Sequence, residues 1–302
     1  MWLWFALAAA VVFGIRGILY HWSAHQPIDR NLVLLGTFTF GTLVCLILAL
    51  AFHQSWTGGS LYGLLMGLFT FGANLSVYKA FADGKSSLPA VFTALAPVPV
   101  LLYAFLVWGE TLNLRQWIAF VVIVTGVVML RYSGRQSLQR LQGIKWGLSA
   151  MFFYAACDLA NKQASLAGGE PFATLTYMFL FAAVAFGSWW WIGRNRRRRP
   201  DADEHGDARS EAAAAAEPGR KWSDTKTFLW GTVIGLVNTV GVLLLFEAFK
   251  LGVTGLVTAV ISTNVIVILL YARFVVKESF RRTEMGGFAL GLCGVAVLYL
   301  FG

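Results

Sequence analysis

Charge is scarce in this 302-residue chain. Asp, Glu, Lys and Arg make up 13% of it, against roughly 25% in an ordinary soluble domain. Apolar residues make up 58%, aromatic residues 15%, and the mean hydropathy is +0.66. Water is therefore excluded as the solvent along most of the chain. Cysteine is nearly absent too: Cys45, Cys157 and Cys293 all lie inside apolar runs, where they read as small packing residues and leave no disulfide framework. Of the four histidines, His25 and His205 fall in loops, which leaves little for a metal centre. The chain has no phosphate-binding glycine loop, no zinc-spaced His/Cys set and no serine-nucleophile elbow. No enzyme and no cofactor are expected, and ATP-driven transport within this chain is not expected either. The formal charge of +9 lies mostly between hydrophobic runs, where it orients a chain in a lipid bilayer and does not signal nucleic acid.

What the sequence does have is long apolar runs. A bilayer core needs roughly 20 such residues per helix, and ten stretches qualify: about 2–22, 32–53, 61–82, 86–108, 113–131, 145–166, 171–193, 227–249, 253–275 and 283–301. The first, "MWLWFALAAAVVFGI", lacks a basic leader and a cleavage site before a soluble domain, so it reads as the first membrane helix. Most breaks carry Gly, Pro, Ser or Asn. The exception is 194–226, which is polar, mixed in charge and low in complexity, and reads as a flexible solvent loop that transport does not need.

The chain also repeats itself. Sliding residues 61–131 onto 229–299 matches "YKAFADG" to "FEAFKLG" and "LLYAFLVWGE" to "LLYARFVVKE". Identities include Gly63/Gly231, Gly84/Gly252, Tyr103/Tyr271, Glu110/Glu278 and Gly126/Gly294, and near the start Trp4 aligns with Trp146. Residues 1–131 and 145–302 are thus two five-helix halves. Five is odd, so the second half enters the membrane from the opposite side. The expected fold is an all-α integral membrane protein of ten helices in two inverted repeats, an architecture associated with carriers that bind solute near the midplane.

With these features the chain resembles the EamA-type members of the drug/metabolite transporter superfamily. The likeness rests on Phe13-Gly14 (usually Trp-Gly there), Pro97 in the fourth stretch, "WGETLNLRQW" at 108–117, "KESFRRTEMGG" at 277–287 and Gly294. It covers nearly all the chain except 194–226. The resemblance implies a carrier for a small organic metabolite, amino acid or amphipathic drug, by alternating access and often in the export direction, in a prokaryotic-type plasma membrane. A lipid-carrier or lipid-linked-sugar flippase of the same superfamily and a channel are the rival readings. Monomer and homodimer are equally compatible with the sequence. One feature departs from the family, whose best-known members keep both termini in the cytoplasm. Positive charge here gathers in the odd-numbered loops: Arg30, Lys85, Arg131, Arg135, Arg140, Lys145, Arg196 to Arg199, Lys277, Arg281 and Arg282. The positive-inside rule then places both termini on the non-cytoplasmic side.

The stretch "FYAACDLANKQA" at 153–164 carries Asp158, Asn161 and Lys162 in an apolar run, on one helix face. Arg16, with Tyr20 and Ser23 one and two turns on, makes a similar stripe in the first helix and is the approximate repeat counterpart of Asp158. Charge at the bilayer centre costs about 2.5–3.5 kcal/mol on insertion scales, so neither should face lipid. Arg16 and Asp158 are expected as partners or as two ends of one polar site, with a purely structural pair as the alternative. Asp158 is also a candidate proton carrier. Lys162 falls where the resembling family often has a lysine, and either contacts solute or snorkels to the interface; His21 holds the matching place in the first half. Asn74, on a stripe with Thr70 and Tyr78, and the isolated amides Asn238 and Asn264 are further candidates, as is the stripe Thr254, Thr258 and Ser262. Lys79 and Glu247 are repeat counterparts with a possible gating or proton-carrying role. Glu110 and Glu278 read as helix-end caps. Pro97 and Pro99 should break the fourth helix and free the carbonyls of Thr93 and Leu95.

Overall fold

The computed structural model describes residues 1–82, 87–131, 142–197, 222–277 and 282–301. Glu278, Lys85, Arg135, Arg140 and Arg281 lie outside them, as does most of the polar loop. Every described element is helical: α1 (Trp2–Ala24), α2 (Arg30–Ala51), α3 (Tyr62–Ala82), α4 (Ser87–Ala94), α5 (Pro97–Trp108), α6 (Leu114–Arg131), α7 (Gln142–Leu166), α8 (Pro171–Arg197), α9 (Asp224–Leu251), α10 (Thr254–Ser262), α11 (Asn264–Tyr271) and α12 (Arg282–Phe301). A 3₁₀ turn, Gly58–Leu61, leads into α3, and a π-helical turn, Ala272–Val276, ends α11. Among the described residues nine helical segments are long and apolar enough to cross a membrane. The segment α7 is not one of them. It is long enough, but Lys145, Asp158, Asn161, Lys162 and Gln163 lower its hydropathy, and it packs on α3, α4, α5, α9 and α10.

Helix ends follow local chemistry. Asp29 accepts hydrogen bonds from the Asn31 and Leu32 amides at the start of α2, and Ser223 accepts one from the Lys226 amide at the start of α9. The helix α8 runs four residues beyond the expected loop boundary, to Arg197, and Arg194 pairs with Asp224 across the entrance to α9. The fourth and ninth apolar stretches are each broken near the middle. Pro97 lacks the amide that would continue α4, so Thr93 and Leu95 carbonyls turn to the Ala96 and Val98 amides at 3.4 and 3.0 Å. No proline stands at the second break. There Ser262 and Thr263 hydroxyls donate back to the Ala259 and Val260 carbonyls, both at 2.6 Å, and the chain turns at Thr263.

Lipid tails are as apolar as leucine, so burial between helices brings little hydrophobic gain, and close backbone approach has to supply the packing. Glycine supplies it along three seams. A Cβ on Gly63 of α3 would lie 2.0 Å from the Thr174 carbonyl oxygen of α8, and one on Gly67 would lie 2.6 Å from that of Met178. On the α2–α9 seam, a Cβ on Gly231 would lie 2.3 Å from the Val33 oxygen, and one on Gly235 would lie 2.7 Å from that of Thr37. The third seam joins α6 to α12, where Gly126 meets Gly287 and Gly291 while Gly294 meets Ala119 and Ile123. Large side chains such as Leu106, Leu114 and Phe274 point outward at 70%, 76% and 75% exposure, as a lipid-facing surface requires.

Two apolar clusters result. One gathers Leu3 and Ala6 with α5, α6, α9, α10 and α12; the other gathers Ala9 and Phe13 with α2, α3, α7, α8 and α9. The first helix takes part in both.

Candidate functional site

The helices α1 and α7 do not pack broadly on one another; both lean on α9 and α10, and their polar stripes belong to the space these helices share. On α1, Arg16 is part-buried. Its Nη1 donates to Asn238 Oδ1 of α9 at 2.6 Å, and its guanidinium lies 4.5 Å from the Phe13 ring centroid and 5.9 Å from that of Tyr20. The Tyr20 hydroxyl faces the Thr37 hydroxyl of α2, which itself donates to the Gly231 carbonyl at 3.0 Å. Tyr154 of α7 lies within electrostatic reach of both Tyr20 and Arg131, and Arg131 Nη1 donates to Thr93 Oγ1 at 2.7 Å. One turn along α7 from Tyr154, Asp158 is part-buried and faces the Thr258 hydroxyl of α10.

The expected Arg16–Asp158 pair does not form: no ion pair within 4.0 Å joins them, because Asn238 occupies Arg16 and Thr258 lies beside Asp158. A residue's depth along its helix does not set the helix's rotation about its axis, which local packing decides, and here that rotation turns the two charges to different neighbours.

Lys162 is 7% exposed and fully engaged. Its Nζ donates to the carbonyls of Phe249 and Gly252 at 2.8 and 3.0 Å and lies 3.4 Å from Glu110 Oε1. Glu110 in turn accepts from the Thr254 amide at 2.7 Å and from its hydroxyl at 2.9 Å. Lysine thus meets the carbonyl end of α9, and glutamate meets the amide end of α10, each where the helix dipole favours it. This arrangement is a latch joining α7, the α5–α6 turn, α9 and α10, and Trp108 adds a hydrogen bond from its indole to Gln163 at 3.2 Å. Snorkelling is not what Lys162 does. Glu110 caps a helix as its position suggests, but the helix is α10, far away in sequence. The latch lies at the end of the molecule where α1 begins, since Trp2 packs beside Gly252.

The remaining candidates are scattered. Asn161 is buried on α7, and its Oδ1 has no hydrogen-bond partner among the described residues; the same holds for Asn264 Oδ1 at the α10–α11 break. Asn74 donates to the Thr70 carbonyl of its own helix at 2.8 Å. Lys79 lies 4.4 Å from the Trp146 ring centroid, and neither Lys79 nor part-buried Glu247 makes an ion pair within 4.0 Å among the described residues. The side chain of Tyr78 lies outside the described residues. Sequence reasoning did not single out Thr37 or Tyr154, took Arg131 only as a loop charge, and named Thr93 only for its carbonyl; the two threonine hydroxyls look like ordinary helix threonines, and nothing local marks them. Among the described residues no group of three His, Cys, Asp or Glu side chains could hold a metal ion, and all three cysteines are free.

Comparison with known proteins agrees with this architecture. One solved structure, titled "Crystal structure of protein", superposes with a TM-score of 0.71 at 14% identity, covering 99% of this chain and 97% of its own. That likeness shows the fold. No curated protein matches the chain. The family model of the EamA-like transporter family matches residues 1–132 and again 141–300. The chain therefore belongs to the EamA-like transporter family, as a multi-pass membrane protein.

Proposed function

We propose that this chain is a ten-helix secondary carrier that moves a small organic solute by alternating access, in the export direction across the plasma membrane. In this reading α4 with α5 and α10 with α11 count as one broken span each, and α7 is the tenth span. The observation that carries it is the matched packing of the two halves. Gly63 and Gly67 meet α8 as their counterparts Gly231 and Gly235 meet α2, and Gly126 meets α12 as Gly294 meets α6. The pairs α3·α7 and α3·α8 have their exchanged equivalents in α9·α1 and α9·α2. The double match of one family model to 1–132 and 141–300 supports the same division. Two equivalent halves can exchange conformations about a shared axis and present one site to either side.

The path in this reading runs between α1 and α7. The Lys162–Glu110 latch closes it at the end where α1 begins. Arg16, Tyr20, Asn238 and Asp158 line it, with Asn74, Asn161 and Asn264 as neighbouring amides. Lys79 and Glu247 stand near the ends of α3 and α9, where a gating contact would act. Broken helices are tolerated at membrane depth where they line a cavity or are buried in protein, which fits the breaks at Pro97 and Thr263.

Purified protein in liposomes tests the proposal. A carrier gives saturable flux and counterflow when unlabelled solute is loaded on the far side. Unitary currents would show a channel, and translocation of a lipid-linked sugar without soluble-solute flux would show a flippase.

A further inference from the structure

Resting on that carrier reading, we infer that the solute is an organic anion whose charged group docks on Arg16 and Asn238. The two residues form a cluster with more donors than acceptors, and two of the donors are unpaired. Asn238, 2% exposed, accepts at Oδ1 from Arg16 Nη1 at 2.6 Å. That fixes which way the amide points and leaves its Nδ2 buried with no hydrogen-bond partner among the described residues. Arg16 Nε is likewise buried and without a partner, and no carboxylate stands within 4.0 Å of the guanidinium. A buried guanidinium is costly unless an anion meets it, and arginine's planar fork matches the two oxygens of a carboxylate, sulfonate or phosphate.

The surroundings restrict the rest of the solute. Phe13 and Tyr20 flank the guanidinium with their rings, and Tyr154 lies within electrostatic reach of Tyr20. An apolar or aromatic body attached to the anionic group would meet these faces. Asp158 does not neutralise Arg16, since it faces Thr258 on α10. An excess of donors at one pole is therefore a built feature of the path.

The test measures thermal unfolding of the purified full-length chain in detergent. The probes are phenylacetate, benzenesulfonate and phenyl phosphate, with phenylacetamide, benzenesulfonamide and benzylamine as uncharged and cationic controls. At least one anion should raise Tm by roughly 2 °C or more at millimolar concentration, and the controls should not. Arg16→Gln should lose the response. Asn238→Asp, which sets a built-in carboxylate against Arg16 in the same geometry, should fold at least as well as the parent and lose it too. The inference is overturned if no anion stabilises the protein, if a control does so equally, or if Asn238→Asp keeps the full response. The same probes in liposomes separate this inference from the carrier reading. Saturable flux of a neutral or cationic solute with no anion response leaves the carrier and removes the anion. Arg16-dependent anion binding without saturable flux does the reverse.

Discussion

At the scale of single residues, the two charges that look like partners in the sequence have different neighbours in the fold. Arg16 bonds Asn238, Asp158 faces Thr258, and they share no partner. A double-mutant cycle on Arg16→Gln and Asp158→Asn should therefore give stability effects that add within about 0.5 kcal/mol, the range for independent sites. A coupling of several kcal/mol in chemical denaturation would show a direct pair. Flux should fall strongly in each single variant after normalising for folded protein, and Arg16→Leu with Asp158→Leu should fold without transporting. Lys162 behaves in the opposite way. Its bonds to Glu110, Phe249 and Gly252 make one unit, so Lys162→Met alone should cost about 1–3 kcal/mol, because the part-buried Glu110 carboxylate loses its counter-ion and two α9 carbonyls lose their donor. Lys162→Met combined with Glu110→Gln should recover much of that loss, measured as Tm of the detergent-purified protein. Equal losses in the single and double variants would mean that the pair is not a coupled unit.

At the scale of elements, the glycine seams are where small changes have large effects. A side chain at Gly231 would meet the Val33 carbonyl, and one at Gly63 would meet that of Thr174, at distances real Cβ atoms do not tolerate. Gly63→Val and Gly231→Val should both collapse the yield of monodisperse protein on size exclusion, whereas Gly193→Ala, with nothing within 4 Å of its Cβ, should leave it unchanged. The two helix breaks carry a further lesson. Pro97 announces the first one, because a missing amide is written in the sequence. The second is made by Ser262 and Thr263 turning their hydroxyls onto their own helix, a choice side chains make only when packing favours it.

At the scale of the whole molecule, orientation and the long loop can be tested directly. Positive charge gathered in the odd-numbered loops predicts both termini on the non-cytoplasmic side, and a reporter fused at Gly302 should be active only there. Activity of a cytoplasmic reporter at that position would overturn it. The loop prediction is narrowed by α8, which runs to Arg197, and by the Arg194–Asp224 pair. Replacing 198–221 with a Gly/Ser linker should keep expression and flux nearly intact, because that composition cannot bury a core. Loss of flux with normal insertion would make the segment a working part.

The solvent, most of the helix boundaries and the family are legible in the residues alone, since hydropathy, turn residues and the spacing of "WGETLNLRQW" are local properties. The sequence also singled out Arg16 and Asp158, because a charge in an apolar run is visible without a fold. It left open what each polar side chain meets. Only the tertiary structure decided that Asn238 holds Arg16, that Thr258 faces Asp158, and that Glu110 and Lys162 close a latch over residues 87 to 144 positions distant. The reason is geometric. Periodicity gives a residue's face on its own helix, but its neighbour depends on how each helix is rotated about its axis. Here close approaches at Gly36, Gly63, Gly126, Gly231 and Gly294, each to a helix far away in the chain, help set that rotation.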